Sequence, residues 1–223
     1  MPHSEIVQKT RRERAPRLDN KTRREQIAQA ALDLVSTRGY RALTVKRLAA
    51  KVGLTPSGLY RHFPDKAAIL DAILELVADA LHGNVQRALS AEGDSLDKLA
   101  ALLRMQVHVI GVRGFGAPRF FFSDDLSMRH PEKQIRLREI MEEFTDAVAR
   151  IMAQGQEQGL IRTDISASKL GIMFLGLFQP GALMNYLHRG EFDMQGQADA
   201  SWRLFAAGLI AQGVDAPALY PEA

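Results

Sequence analysis

From Ile27 to Ile210 the apolar residues recur at intervals of three and four, and no convincing stretch alternates every second residue. The first spacing stacks side chains on one face of a helix, whereas alternation would stack them on one face of a strand. The chain is thereby confined to an all-α fold, in which each helix carries an apolar stripe that another helix must cover. Ile27, Ala30, Ala31, Leu34 and Val35 form the first stripe, in a helix that Gly39 is placed to end. Further stripes run through Leu96, Leu99, Leu103, Val107 and Ile110, and then through Leu137, Ile140, Met141, Phe144, Val148, Ile151 and Met152. The last two run through Leu170, Met173, Phe174, Leu177 and Phe178, and through Trp202, Phe205, Leu209 and Ile210.

Local signals divide the N-terminal part more finely. Thr44 can cap a short helix from Val45 to Lys51, its hydroxyl accepting a free backbone N–H of the first turn. Gly53 breaks that helix and Leu54 follows as an apolar plug. Thr55, Pro56, Ser57 and Gly58 are poor interior residues but good starting ones, so a third helix begins there and ends near His62. Pro64 stops it, and Asp65 or its neighbour opens a fourth that runs to about Ser90. Two short helices joined by a tight glycine turn form the arrangement that sends a second helix into the major groove. Leu48, Ala49, Val52, Leu54, Leu59 and Phe63 supply its small core. Ser57 and Gly58 let a backbone come close, while Tyr60, Arg61, His62 and Lys66 offer donors for phosphates.

Charge is segregated accordingly. Residues 1–66 hold 15 Lys and Arg against 6 Asp and Glu, a balance of +9, whereas the remainder holds 14 against 20, or −6. A positive field concentrated at one end attracts a polyanion and steers its approach. Residues 1–18, with KTRRERAPR and no apolar periodicity, read as a flexible basic arm for the minor groove or adjacent backbone. The whole chain has 223 residues, 46% hydrophobic and 25% charged, which is the balance of a globular protein. It has no cysteine, which excludes disulfides, thiol switches and cysteine-ligated zinc. No apolar run approaches the roughly 18 residues of a membrane span, and the charged N-terminus lacks a signal peptide's apolar stretch. A cytoplasmic protein without a membrane partner is expected.

The run GYRALTVKRLAAKVGLTPSGLYRHFPDKAAIL, Gly39 to Leu70, resembles the N-terminal signature of TetR-family transcriptional regulators. The matching positions include Gly39, Thr44, Val45, Leu48, Ala49, Val52, Gly53, Leu54, Ser57, Gly58, Leu59, Tyr60, His62, Phe63, Lys66 and Leu70. The resemblance implies a helix-turn-helix DNA-binding domain at 19–66 and a helical effector-binding and dimerisation domain at 67–223. It further implies a homodimeric repressor on a palindromic double-stranded DNA operator, released by a small, largely apolar effector. Thr44, Tyr60, His62 and Lys66 would meet phosphates, and Thr55, Pro56, Ser57 and Arg61 would lie at or near the bases. Lys46 and Gly58 complete the expected DNA-contacting set, with Arg61 the foremost candidate for a guanine.

For the effector, Met105, His108, Val109, Phe120, Phe121, Phe122, Leu126, Phe174 and Phe178 offer an aromatic and methionine-rich wall, though each also fits plain packing. The segment GVRGFGAPRFFF is too irregular for a helix before Pro118 and too apolar for a free loop, and so is expected to border the cavity. One helix from Ala167 to about His188 is apolar on more than one face and so must be buried on both sides. With the Trp202 stripe it is the candidate dimer interface: Leu170, Met173, Leu177, Met184, Trp202, Phe205 and Leu209. The alternative is a central helix inside a monomer core.

Activation of transcription or organisation of nucleoids would use the same heads. An enzyme is disfavoured, because the six histidines show no metal-ligand spacing and no nucleophile turn is present. Asp124–Asp125 and Glu142–Glu143 are adjacent and cannot face one another on a helix. No metal or cofactor is expected.

Overall fold

The structure is a computed structural model that describes residues 19–113, 130–211, 215 and 217–220. Among these residues there is no strand; a single antiparallel bridge joins Ile161 to Ile210. The basic arm, 1–18, and most of the GVRGFGAPRFFF segment lie outside the described residues.

Helix α1 spans Asn20–Arg38, its start fixed by Asp19, whose carboxylate accepts from the Thr22 N–H at 2.8 Å. That bond holds the Asp19 carboxyl below its ordinary range. Gly39, at φ +80°, turns the chain into a single 3₁₀ turn, Tyr40–Ala42. Helices α2 (Val45–Lys51), α3 (Pro56–Tyr60) and α4 (Lys66–Leu89) follow, capped by the side chains of Thr44, Thr55 and Asp65 respectively. The third helix is thus shorter than expected, with Arg61 and His62 in the turn beyond it. Helix α5 spans Ser95–Arg113 and α6 spans Pro131–Glu157. Then come α7 (Ala167–Leu175), α8 (Gln179–Leu187) and α9 (Met194–Leu209).

The single helix expected from Ala167 to His188 is therefore two. Pro180 has no N–H to return to the carbonyl of Gly176, and the residue before a proline is disfavoured in helical geometry. The chain turns at Gly176–Phe178 instead. By length and composition, 167–187 is the one segment among the described residues apolar enough to cross a membrane, with a mean hydropathy of 1.3. That turn interrupts it, and its buried residues Leu170, Phe174, Leu177 and Phe178 are claimed by the protein's own core.

There are two cores. The head core gathers Ile27, Ala31, Leu32 and Val35 of α1, Leu48 and Ala49 of α2, Leu59 of α3, Phe63, and Leu70, Ile73, Leu74 and Val77 of α4. Leu137 and Ile140 of α6 close it from below. The body core gathers Leu96, Leu99 and Leu103 of α5, Phe144, Val148 and Ile151 of α6, Phe174, and Trp202 and Leu209 of α9. Helix α4 begins in the head core and ends in the body core with Val85 and Ala88. A division between 66 and 67 thus separates the head from the helix that completes it, which apolar spacing does not reveal because it says only that a face is covered. Where α7 crosses α6 the backbones nearly touch at Gly171: a Cβ there would lie 2.9 Å from the Thr145 carbonyl oxygen.

Candidate nucleic-acid interface

The two short helices of the head are held by a turn that only a small set of residues can make. The N–H of Leu54 donates to the Ala49 carbonyl at 2.8 Å across Val52 and Gly53, and Gly53 sits at φ +68°, in the left-handed region that favours glycine. Leu59 and Phe63, each 1% exposed, anchor α3 from beneath. What this burial leaves outward is a polar edge. Thr55, Pro56, Ser57, Tyr60 and Arg61 are all exposed, Tyr60 to 52%, and Gly58 is half-buried between them. The Thr55 hydroxyl accepts from the Gly58 N–H at 3.1 Å and lies 3.1 Å from the Ser57 hydroxyl, so the first turn is fixed while the backbone remains uncovered. Thr44, Lys46 and Arg47, at the start of α2, are exposed as well. The cap geometry agrees: the Thr44 hydroxyl accepts from the Arg47 N–H at 3.3 Å.

Two of the expected contact residues are engaged within the head. The Nδ1 of His62 lies 2.9 Å from the Asn20 side-chain oxygen, and the His62 carbonyl accepts from the guanidinium of Arg24. The Lys66 ammonium sits 3.5 Å from the centre of the Tyr40 ring and donates to the Tyr40 carbonyl at 3.4 Å. Both residues therefore help to hold the end of α3 against α1 and the 3₁₀ turn. Arg24, 4.2 Å over the Phe63 ring, and Asn20 share this work. Sequence reasoning missed them, since a polar residue on the outer side of α1 carries no periodic signal. Arg47, exposed beside Lys46, was also missed; its place in the first turn of a helix that starts at Thr44 was the available clue.

A second feature lies below the head. A cavity of about 540 Å³ is bounded by Val77 and Leu81 of α4, Gln106, Val109 and Ile110 of α5, and Leu137, Met141 and Phe144 of α6. The turn between α7 and α8 closes it, with Leu175, Gly176, Phe178, Gln179 and Pro180. Among the expected effector residues, Val109 and Phe178 line this space. Phe174 does not: it is fully buried in the body core, edge-on to Phe178 at 6.3 Å. Met105 is half-buried against the same core, and His108 is exposed in a polar groove beside Asp79 and Arg87. A one-residue step along a helix turns a side chain by about 100°, enough to exchange cavity for core or solvent. Phe120, Phe121, Phe122 and Leu126 lie outside the described residues.

The expected dimer residues divide in the same way. Leu170, Leu177, Trp202 and Leu209 are buried in the chain's own core, so they are corrected to interior residues, and the Trp202 indole N–H donates to the Pro217 carbonyl at 2.8 Å. Phe205 is half-buried beside Trp202. Met173 and Met184 are exposed, together with Ile172, Leu183, Leu187 and Leu204. The expectation that the 167–188 segment is covered on both sides thus fails within one chain.

Helix α6 links head and cavity. Its N-terminal cap residue His130 places Nε2 at 2.8 Å from the Tyr40 hydroxyl, Lys133 pairs with Asp71, and Arg136 pairs with Glu75 at 3.0 Å. Hydrogen bonding to Glu75 raises the pKa of Arg136. One and two turns further on, the same helix lines the cavity.

Comparison with known proteins agrees with this architecture. Residues 27–73 match the family model for bacterial regulatory proteins of the tetR family. The chain is 27% identical over 189 residues to the nucleoid occlusion factor SlmA of Photobacterium profundum, covering 84% of this chain and 95% of that protein. It is 29% identical over 192 residues to the SlmA of Klebsiella pneumoniae, covering 85% and 96%. Among solved structures, the MbdR regulator from Azoarcus superposes with a TM-score of 0.71 at 25% identity, over 85% of this chain and all of that one. A transcriptional regulator from Saccharomonospora viridis, solved in complex with choline, also gives 0.71, at 19% identity, over 86% and 99%. Residues 27–73 thus carry a DNA-binding domain of the tetR family of bacterial regulatory proteins, on a helical fold shared with TetR-family regulators.

Proposed function

We propose that the chain acts as a homodimeric, ligand-responsive repressor, released from a palindromic operator when a small apolar molecule occupies the cavity below the head. The observation that carries this reading is the shared helix α6, which packs Leu137 into the head core and Phe144 into the body core while both border the cavity. A guest that spreads α6 from α4 would tilt the head, and a ligand shifts such an equilibrium only by preferring one of its states.

On the DNA side, Thr55, Pro56, Ser57, Gly58 and Arg61 face the base edges, while Thr44, Lys46, Tyr60, His62 and Lys66 hold the phosphates. His62 and Lys66 do so from the end of α3 and the start of α4, already fixed by Asn20 and Tyr40. A second copy covers the apolar surface of Ile172, Met173, Leu183, Met184 and Leu187, which supports a two-fold pair with heads one helical turn apart. The test is selection of bound duplexes from random DNA, followed by release with uncharged apolar compounds. A defined inverted repeat and release by one compound class support the proposal; retention of DNA with the cavity demonstrably filled would sink its ligand-responsive part.

The likeness to nucleoid occlusion factors over 84% of the chain favours a second reading, in which the same head marks many dispersed chromosomal sites. Mapping bound sites along the chromosome separates the two. A few promoter-proximal sites fit a repressor, and many sites unrelated to promoters fit nucleoid organisation.

A further inference from the structure

We infer that the cavity selects an uncharged guest bearing a hydrogen-bond acceptor, such as a ketone, ester or amide, and that Gln106 is the residue that selects it. This rests on the reading of the cavity as the effector site. Gln106 lies on α5 among Leu102, Leu103, Val107 and Ile110, all buried, and is itself 2% exposed. It lines the cavity, yet its Nε2 has no hydrogen-bond partner among the described residues.

A buried amide donor left unsatisfied costs stability, and leucine at the same position would avoid that cost. Its presence is accounted for if a guest supplies the acceptor. The last torsion of a glutamine side chain is soft, so the amide can turn toward a guest without leaving its rotamer. A volume of about 540 Å³ is within the usual range for small-molecule sites.

The charge of the guest follows from the rest of the lining. Gln106 and Gln179 are the only described lining residues with polar side chains; the others are Val, Ala, Leu, Ile, Met, Phe, Gly and Pro. A carboxylate or ammonium brought there would lose its hydration with no opposite charge to receive it, and that penalty exceeds what one amide returns. Of the cationic or cation-capable residues two positions either side of Gln106 on α5, His108 is exposed in the neighbouring groove and Arg104 donates to the Leu219 carbonyl at 2.8 Å. The site is therefore built to prefer a neutral acceptor over both a plain hydrocarbon and an acid.

The test uses the full chain and the neutral fluorescent probe N-phenyl-1-naphthylamine, displaced by 4-phenylcyclohexanone, phenylcyclohexane or 4-phenylcyclohexanecarboxylate. In the unaltered protein the ketone should displace the probe at concentrations about tenfold below the other two. Gln106→Leu should erase the ketone's advantage over the hydrocarbon while leaving hydrocarbon binding at least as strong; Gln106→Met repeats the test should the leucine variant misfold. Val109→Trp, which fills the space, should block the probe. A ketone preference that survives both Gln106 variants, or a carboxylate that binds as well as the ketone, overturns the inference. Gln106-dependent binding that leaves DNA affinity unchanged supports the inference and overturns the effector reading. Failure of probe and compounds to bind at all overturns both.

Discussion

The head and the body share α4 and α6 but are packed to different ends. In the head, polar groups beside the reading edge find partners, His62 with Asn20, Arg24 with the His62 carbonyl and Lys66 with Tyr40, while on α1 the buried Ser36 hydroxyl has none among the described residues. The body holds a cavity, two buried amide donors without a partner among the described residues, on Asn84 and Gln106, and a run of exposed apolar side chains with Leu204 80% exposed. A part that reads DNA needs one geometry, since a displaced donor loses its base. Under the proposed function the body needs room for a guest, and the cavity below the head is that room. The difference teaches where loss of packing will be felt most.

The comparison can be broken most severely at Phe63. It is 1% exposed and ties α3 to the head, so Phe63→Ala should cost about 3–5 kcal/mol in chemical denaturation and abolish DNA binding. A loss below about 1 kcal/mol would mean that the head is not tightly packed. Next comes Arg61→Ala, which should weaken binding to the selected operator by about 1–3 kcal/mol in a binding titration, relax preference at one base pair and leave the melting temperature unchanged. A uniform loss across sequences would move Arg61 from base to phosphate. In the body, Gly171→Ala presses a methyl group onto the α6 backbone and should destabilise by about 1–3 kcal/mol with little effect on DNA affinity at permissive temperature. An equal loss of DNA binding would show that head geometry depends on this crossing.

The smallest effect concerns acid. Because the Thr22 N–H holds the folded Asp19 carboxyl below its ordinary 3.8, the cap's contribution is complete above that value. It is lost as the pH falls from 3.8 through the lower folded value. Asp19→Asn should flatten this part of the stability profile without altering the profile above pH 5. Denaturation midpoints at a series of pH values check it, and identical slopes for both proteins would rule the cap out as a contributor.

Much of the head was legible because its signals are local. Thr44, Thr55 and Asp65 each cap the helix that their position announces, and Gly39 and Gly53 each sit at positive φ where a helix ends. The body yielded less because its decisions are tertiary. Apolar spacing marks Leu170 and Met173 as equally suited to burial, but only packing against α6 decides that the first is interior and the second is not. The break at Gly176–Phe178 is hidden in the sequence because the hydrophobic pattern continues across it, and Pro180 is the local sign of it. Gln106 interrupts an apolar stripe, and spacing alone cannot tell a surface glutamine from one that borders a cavity. Leu137 and Ile140 entered the head core from some seventy residues away, a reach for which one chain holds no local cue.

The most direct test of the account is a titration of the full chain with its selected duplex and with a scrambled duplex of equal length, across a series of salt concentrations. The account predicts at least about a thousandfold preference for the selected duplex, with affinity for both falling linearly on logarithmic axes as salt rises. Equal affinity for the two duplexes at every salt concentration would contradict it.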